Sequence, residues 1–347
     1  MTRKILLLTE GFTNPHTAKT ARNLIIYKPE EVAGVIDSTN VGNNAGVLLE
    51  TGGNYPIFPS VESAPEADHL LIGIATPGGL LPEGLRQPVI TAIRRGMNII
   101  SGLHHYLSDD PEFSALANDY NVKLIDLRKN TFNRVANRTG IREDVLRVHT
   151  VGNDCSLGKM VVSLNVSNEL IKLGYDSCFV ATGQTGMLIS GEGLPIDNIK
   201  GDYINGAAES LVLDNQNHDI LMIEGQGSLV HPRYSSVTLG LLHGSQPHGL
   251  IMCYELGREY IHGVDGFKIP DMETVIDLYL KAANIMHSCE IIGFAINSRK
   301  STKAEADYER DKMFDKYGLP VCDVVRHGAG ELAEGIISFK NKLGMPF

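Results

Sequence analysis

The chain has 347 residues, 43% of them hydrophobic and 21% charged, with a formal net charge of −10. At roughly 150 residues per domain this length calls for two domains, and the hydrophobic share suits a packed core rather than a disordered or fibrous chain. The acidic balance argues against a nucleic-acid partner, which needs a concentrated basic face. The nearest basic stretch, Leu127–Arg147 with Arg128, Lys129, Arg134, Arg138, Arg142 and Arg147, reads as a solvated connector. Five cysteines, at 155, 178, 253, 289 and 322, form no CxxC pair and suit the reduced thiols of a cytoplasmic protein, four of them in apolar core runs. No segment approaches ~20 uninterrupted apolar residues, and the N-terminal run is too short for a leader, so neither a membrane span nor a membrane partner is expected.

In chain order, short apolar runs alternate with helical patterns, the βαβ rhythm of parallel sheets covered by helices. The first series has strands at Lys4–Leu8, Glu31–Ile36, His69–Ala75, Met97–Ser101 and Val122–Asp126, with helices at Pro15–Tyr27, Leu81–Arg95 and Pro111–Asp119. It predicts a Rossmann-like domain over residues 1–144, in which no GxGxxG follows the first strand to support a dinucleotide site. The second series, residues 145–347, has strands at Val145–Val151, Ser177–Thr182, Ile220–Glu224, Leu250–Tyr254, Glu290–Asn297 and Leu319–Val325. Its helices are predicted at Lys159–Leu173, Asp271–His287, Ala304–Tyr317 and Ala329–Lys342, while Gly183–Gly206 and Gly225–Gly249 read as long glycine-rich loops.

The sharpest motif is Val148-His-Thr-Val-Gly152-Asn153-Asp154-Cys155-Ser156-Leu157-Gly158-Lys159-Met160, an apolar strand, a glycine-bounded loop and a helix starting at Gly-Lys. That is the plan of a P-loop, whose backbone N–H groups and helix N-terminus cradle phosphate oxygens while the lysine adds a point charge. Met160 stands where a Ser or Thr hydroxyl normally holds Mg²⁺, and a thioether is no substitute for that hard oxygen ligand. Phosphate binding is therefore expected, Mg²⁺-dependent chemistry is not, and no metal site is assigned; the twelve histidines show no HExxH spacing.

A Walker-B-like strand ends Ile220-Leu-Met-Ile-Glu224-Gly-Gln-Gly. Glu224 there could hold a metal through water or act as base toward a substrate ammonium group, and a carboxylate capping the next turn would leave the same pattern. Asn297 closes a strand where P-loop proteins often present an amide to a purine edge, although a turn-forming Asn fits equally. Gln184 and Thr185, in Thr182-Gly-Gln-Thr-Gly186, end another strand and face a bound ligand if the glycines serve more than the loop. His231 and Arg233, in the loop after Glu224, are a candidate general acid and a candidate carboxylate binder. Arg258 and Lys19 are further cations without a ranked role, and Asp202, Asn205 and Glu209 surround a helix start.

The stretched P-loop spacing, with Asp third, resembles that of dethiobiotin synthetase and related ATP-dependent amide-forming enzymes. The set Gly152-Asn-Asp-Cys-Ser-Leu-Gly-Lys-Met, Ala181-Thr-Gly-Gln-Thr-Gly, Glu224-Gly-Gln-Gly-Ser-Leu-Val-His-Pro-Arg-Tyr-Ser and Thr238-Leu-Gly-Leu-Leu-His-Gly-Ser resembles a bacterial family long known as a domain of unknown function. The likeness extends to Ala18-Lys-Thr-Ala-Arg-Asn-Leu-Ile-Ile-Tyr27 and Thr76-Pro-Gly-Gly. Where that family often continues its P-loop with threonines, Val161 and Val162 stand here. Members described as D-glutamate N-acetyltransferases imply acetyl-CoA as cofactor and an acidic amino acid as small-molecule substrate. The dethiobiotin synthetase likeness implies the alternative, an ATP- and Mg²⁺-dependent ligase, and a nucleotide-gated carrier is a third class. A homo-oligomer is compatible with all three.

Overall fold

The computed structural model describes residues 3–346. Contacts divide the chain into two units, residues 1–129 with 187–191, and residues 130–186 with 192–347. The change of unit after Lys129 lies upstream of the 144/145 boundary read from the strand pattern, because the connector packs with the second unit: Glu209 accepts the backbone N–H groups of Asn137 (2.8 Å) and Arg138 (2.7 Å). Nor is that stretch simply solvated. Arg147 is fully buried, its guanidinium donating to the carbonyls of Gln246 (2.8 Å) and Arg142 (2.9 Å).

The first unit runs β1 (Ile5–Leu8), α1 (Lys19–Tyr27), β2 (Val32–Ile36), α2 (Ala45–Leu48), β3 (Ile57–Phe58), β4 (His69–Ile72), α3 (Arg86–Arg94), β5 (Asn98–Ser101), α4 (Pro111–Asp119) and β6 (Leu124–Asp126). Its parallel sheet has the order β3-β2-β1-β4-β5-β6, the Rossmann arrangement with its switch point between β1 and β4. β1 is buried along its whole length, as a central parallel strand must be. α4 starts where Asp110 accepts the N–H groups of Glu112 and Phe113 ahead of Pro111 at the first turn.

The second unit runs β7 (Leu146–Gly152), α5 (Lys159–Lys172), β8 (Ser177–Val180), α6 (Gln184–Ser190, its last residues grouped with the first unit), α7 (Ile204–Asn215), β9 (Ile220–Ile223), α8 (Ser235–Ser245), β10 (Gly249–Glu255), α9 (Met272–Asn284), β11 (Glu290–Asn297), α10 (Lys303–Tyr317), β12 (Val321–Cys322) and α11 (Gly330–Lys342). All strands are parallel in the order β12-β11-β10-β7-β9-β8, which puts the fully buried β7 and β10 at the centre and the ends of β7, β9, β10 and β11 along one carboxyl edge.

Two stretches predicted as loops contain helices. In α8 the glycines serve packing: a Cβ on Gly240 would fall 2.2 Å from Ile204 Cγ2, and one on Gly244 would fall 2.2 Å from the Asn205 carbonyl oxygen and 2.7 Å from Ala208 Cβ. Glycines four apart thus let α8 lie directly on α7, and with Leu239 exposed while Thr238 and Ser245 are buried the helix loses the amphipathic period by which helices are recognised. Asp202 does not cap α7, whose N-cap is Tyr203.

Candidate functional site

β7 ends at Gly152, where any Cβ would strike Leu157 Cδ1 (2.6 Å) and the Cys253 carbonyl oxygen (2.7 Å), so the loop can fold tightly back only over glycine. Ser156 (φ 55°) and Gly158 (φ 99°) take the left-handed conformation that turns the chain into α5. No side chain caps α5 and no acid lies in its first turn, so its leading N–H groups are free to receive an anion. Lys159 is 5% exposed and its Nζ donates to the Asp154 carbonyl at 2.8 Å, folded onto its own loop. Burial lowers its pKa from the ordinary lysine value.

Beneath the loop, the Thr150 hydroxyl accepts the Gly225 N–H (3.0 Å) and shares a hydrogen bond with the Ser163 hydroxyl (2.8 Å), joining β7, α5 and the end of β9. Gly225 approaches so closely that an added Cβ would fall 1.7 Å from the Thr150 carbonyl oxygen and 2.9 Å from Lys159 Cδ. Tyr279 of α9 closes the other side, donating to the Gly152 carbonyl (2.9 Å) and accepting the Leu229 N–H (3.1 Å).

Glu224, 5% exposed, follows β9 directly. Its Oε2 accepts the N–H groups of Thr182 (2.9 Å) and Gly183 (3.1 Å). Burial raises its pKa from 4.5 to about 7, against the pull of those two amides and Lys159. Glycines make its room: a Cβ on Gly186 would lie 2.5 Å from Oε2 and one on Gly183 would lie 3.3 Å from Oε1. Gln184 and Thr185 follow Gly183 directly, half-buried at the start of α6.

Two of the candidate residues bond within the chain. Asn297 donates from Nδ2 to the Leu157 carbonyl at 2.9 Å and so braces the P-loop from β11, a role that its strand-end position alone did not show. His231 is fully buried, its Nδ1 accepting the Arg233 N–H (3.1 Å) and its Nε2 facing the His262 carbonyl (3.3 Å). Both ring nitrogens are thus engaged with the chain, so His231 at least supports the loop after Glu224. Arg233 itself is exposed and forms no ion pair among the described residues.

Asp154, Cys155 and His231 offer ligand atoms within 4.8 Å of one another, yet their chemistry does not fit a metal. His231 Nδ1 is already an acceptor, so Nε2 carries the proton; Asp154 Oδ2 is occupied by Arg258 Nη1 (2.8 Å) and the His262 N–H (2.8 Å). The Cys155 thiol is held up by burial and by Asp154, away from the thiolate a metal prefers.

Sequence reasoning missed a charged cluster beside the loop. Arg258 bridges Asp154, the Cys155 carbonyl (2.9 Å) and Glu255 Oε2 (2.7 Å). Glu255, at the end of β10, also takes Arg299 Nη2 (2.8 Å) and Lys300 Nζ (2.8 Å) from just beyond β11. Arg258 is thus committed within the site and is not a free cation for a substrate. Burial opposes the Glu255 charge, but Lys300 and Arg258 more than offset it and hold its pKa below the ordinary range. The only local signal was an acid at one strand end and an Arg-Lys pair after another.

Comparison with known proteins places both units. Residues 38–130 match a domain of unknown function described as the Rossmann-like N-terminal domain of DUF1611, and residues 134–333 match the P-loop domain of the same family. A protein of Tritonibacter scottomollicae named D-glutamate N-acetyltransferase is 34% identical over 92% of this chain and 94% of its own. One of the same name from Pseudoalteromonas sp is 36% identical over 95% of this chain and 98% of its own. The crystal structure of a DUF1611 family protein from Anabaena variabilis superposes with a TM-score of 0.90 at 33% identity, covering 97% of this chain and 99% of that one. Among the described residues no helix is long and apolar enough to cross a membrane. With a Rossmann-like N-terminal domain and a P-loop C-terminal domain matched over nearly its whole length, the chain belongs to the DUF1611 family.

Proposed function

We propose that the P-loop unit binds acetyl-CoA and that the protein acetylates the amine of D-glutamate or a similar acidic amino acid. What supports this reading is the glycine turn leading into the uncapped start of α5, with Met160 where a hydroxyl ligand for Mg²⁺ would stand, beside the buried Glu224 carboxyl whose pKa is raised to about 7. The names of the relatives at 34% and 36% identity support the donor and the acceptor class. The N–H groups at the start of α5 and Lys159 hold the diphosphate of the donor. When bound, acetyl-CoA would supply an activated carbonyl: the amine nitrogen bonds to it, the C–S bond breaks, and the proton lost by the acylated nitrogen goes to the leaving thiolate to give the free thiol. Glu224, in its ionised form, takes the proton of the substrate ammonium, so that the nitrogen lone pair becomes available. Arg233 offers an exposed cation to a substrate carboxylate. ATP-dependent ligation would need Mg²⁺ beside the γ-phosphate, where this chain has Met160.

Incubation with acetyl-CoA and a panel of D- and L-amino acids in excess EDTA, followed by thiol release and product mass, tests the reading. N-acetylation of an acidic amino acid without Mg²⁺ is expected. Mg²⁺-dependent hydrolysis of ATP stimulated by a carboxylate substrate, with no acetyl transfer, would overturn it in favour of the ligase.

A further inference from the structure

Although the chain as a whole carries a net charge of −10, the ground beside its P-loop is positive. Arg258, Arg299 and Lys300 gather around the two carboxylates Asp154 and Glu255, an excess of one positive charge, and Lys159 lies nearby with its Nζ on the Asp154 carbonyl. The four cations are not equivalent. Lys159 serves the loop, and Arg258, with its side chain 9% exposed, is spent on Asp154, Glu255 and the Cys155 carbonyl. Arg299 and Lys300 have side chains 39% and 64% exposed, and they share one carboxylate, Glu255, that already holds Arg258. Glu255 therefore positions both side chains without neutralising the group.

Their place is fixed relative to the loop. Glu255 and Asn297 are register partners at the carboxyl ends of β10 and β11, and Asn297 is bonded to the Leu157 carbonyl. Arg299 and Lys300 follow two and three residues later, and Arg258 spans from their shared carboxylate to the loop backbone. The two cations therefore stand at the β10–β11 end of the P-loop, separated from its backbone by the single side chain of Arg258.

We infer that Arg299 and Lys300, held by Glu255, form a second anion subsite that binds the 3′-phosphate of coenzyme A, a dianionic phosphomonoester. This inference rests on the proposed use of acetyl-CoA. The subsite makes the unit discriminate by a group that ATP lacks, since ATP carries a plain hydroxyl at that carbon. Two charge-assisted contacts of partly exposed side chains are expected to strengthen binding about tenfold or more.

Titration calorimetry of CoA and 3′-dephospho-CoA, with wild-type protein and the double variant Arg299→Gln/Lys300→Gln, tests it. Wild type should bind CoA at least about tenfold more tightly than dephospho-CoA. In the variant the two affinities should converge on the wild-type dephospho-CoA value, leaving the P-loop contribution intact. Equal wild-type affinities, or discrimination that survives in the variant, would overturn the subsite and leave the acetyl-CoA reading standing. Failure of wild type to bind either ligand would overturn both. Because the wild-type comparison of the two ligands needs no substitution, it decides the question even if the variant folds poorly.

Discussion

Replacing Glu224 by Gln keeps the shape of the side chain and an oxygen for the Thr182 and Gly183 amides, while removing the group that titrates. With its pKa raised to about 7, the Glu224 carboxyl is about one-tenth ionised at pH 6 and about nine-tenths ionised at pH 8. If the ionised form accepts the substrate proton, wild-type kcat should rise about tenfold between those pH values, and Glu224→Gln should lose about 10²- to 10⁴-fold at pH 8 with cofactor affinity nearly unchanged. Folding carries the same signature with a defined sign. Between pH 4.5 and about 7 the unfolded chain has released this proton while the folded chain keeps it, so wild-type stability falls across that window by roughly 3 kcal/mol, and the Gln variant escapes the fall. Rates at saturating substrate and urea midpoints, both followed from pH 5 to 8, measure the two effects. A wild-type rate flat across that range, or a Gln variant turning over at the parental rate, would refute the base role and leave Glu224 as a turn-capping carboxylate.

Lys159→Ala should weaken acetyl-CoA binding by about tenfold to 150-fold in calorimetry, the worth of a charge-assisted contact, while its melting temperature holds, since the lost charge was buried against a single carbonyl. Gly225→Ala places a methyl group 1.7 Å from the Thr150 carbonyl and must push β9 away from the loop; displacement on the scale of 1 Å should cost turnover roughly 10²-fold even in material that remains folded by circular dichroism. Gly244→Ala, by contrast, should cost about 3 kcal/mol in urea unfolding, because its Cβ meets the Asn205 carbonyl where α8 lies on α7.

The P-loop could be read from the sequence because its parts are contiguous: strand, glycine turn, Gly-Lys and helix lie within residues 146–172, and each speaks through local backbone geometry. Glu224 was equally visible as an acid delivered by an apolar strand. What escaped was assembled across the sheet. Glu255 and the Arg299-Lys300 pair meet only because β10 and β11 run parallel, with α9 between them in the chain. Asn297 drew attention for its strand-end position, yet its partner, the Leu157 carbonyl, is 140 residues away and left no mark in the sequence. In α8 the glycines misled, since the same residue type marks a loop by its freedom and a tight helix contact by its lack of a side chain.

The most direct measurement of the central claim is a crystal structure of the protein grown with acetyl-CoA and EDTA. The diphosphate should lie on the backbone N–H groups of residues 153–160 with Lys159 Nζ turned from the Asp154 carbonyl to a phosphate oxygen, and the acetyl group on the side of Glu224. Phosphates bound consistently elsewhere, with this loop empty, would contradict it.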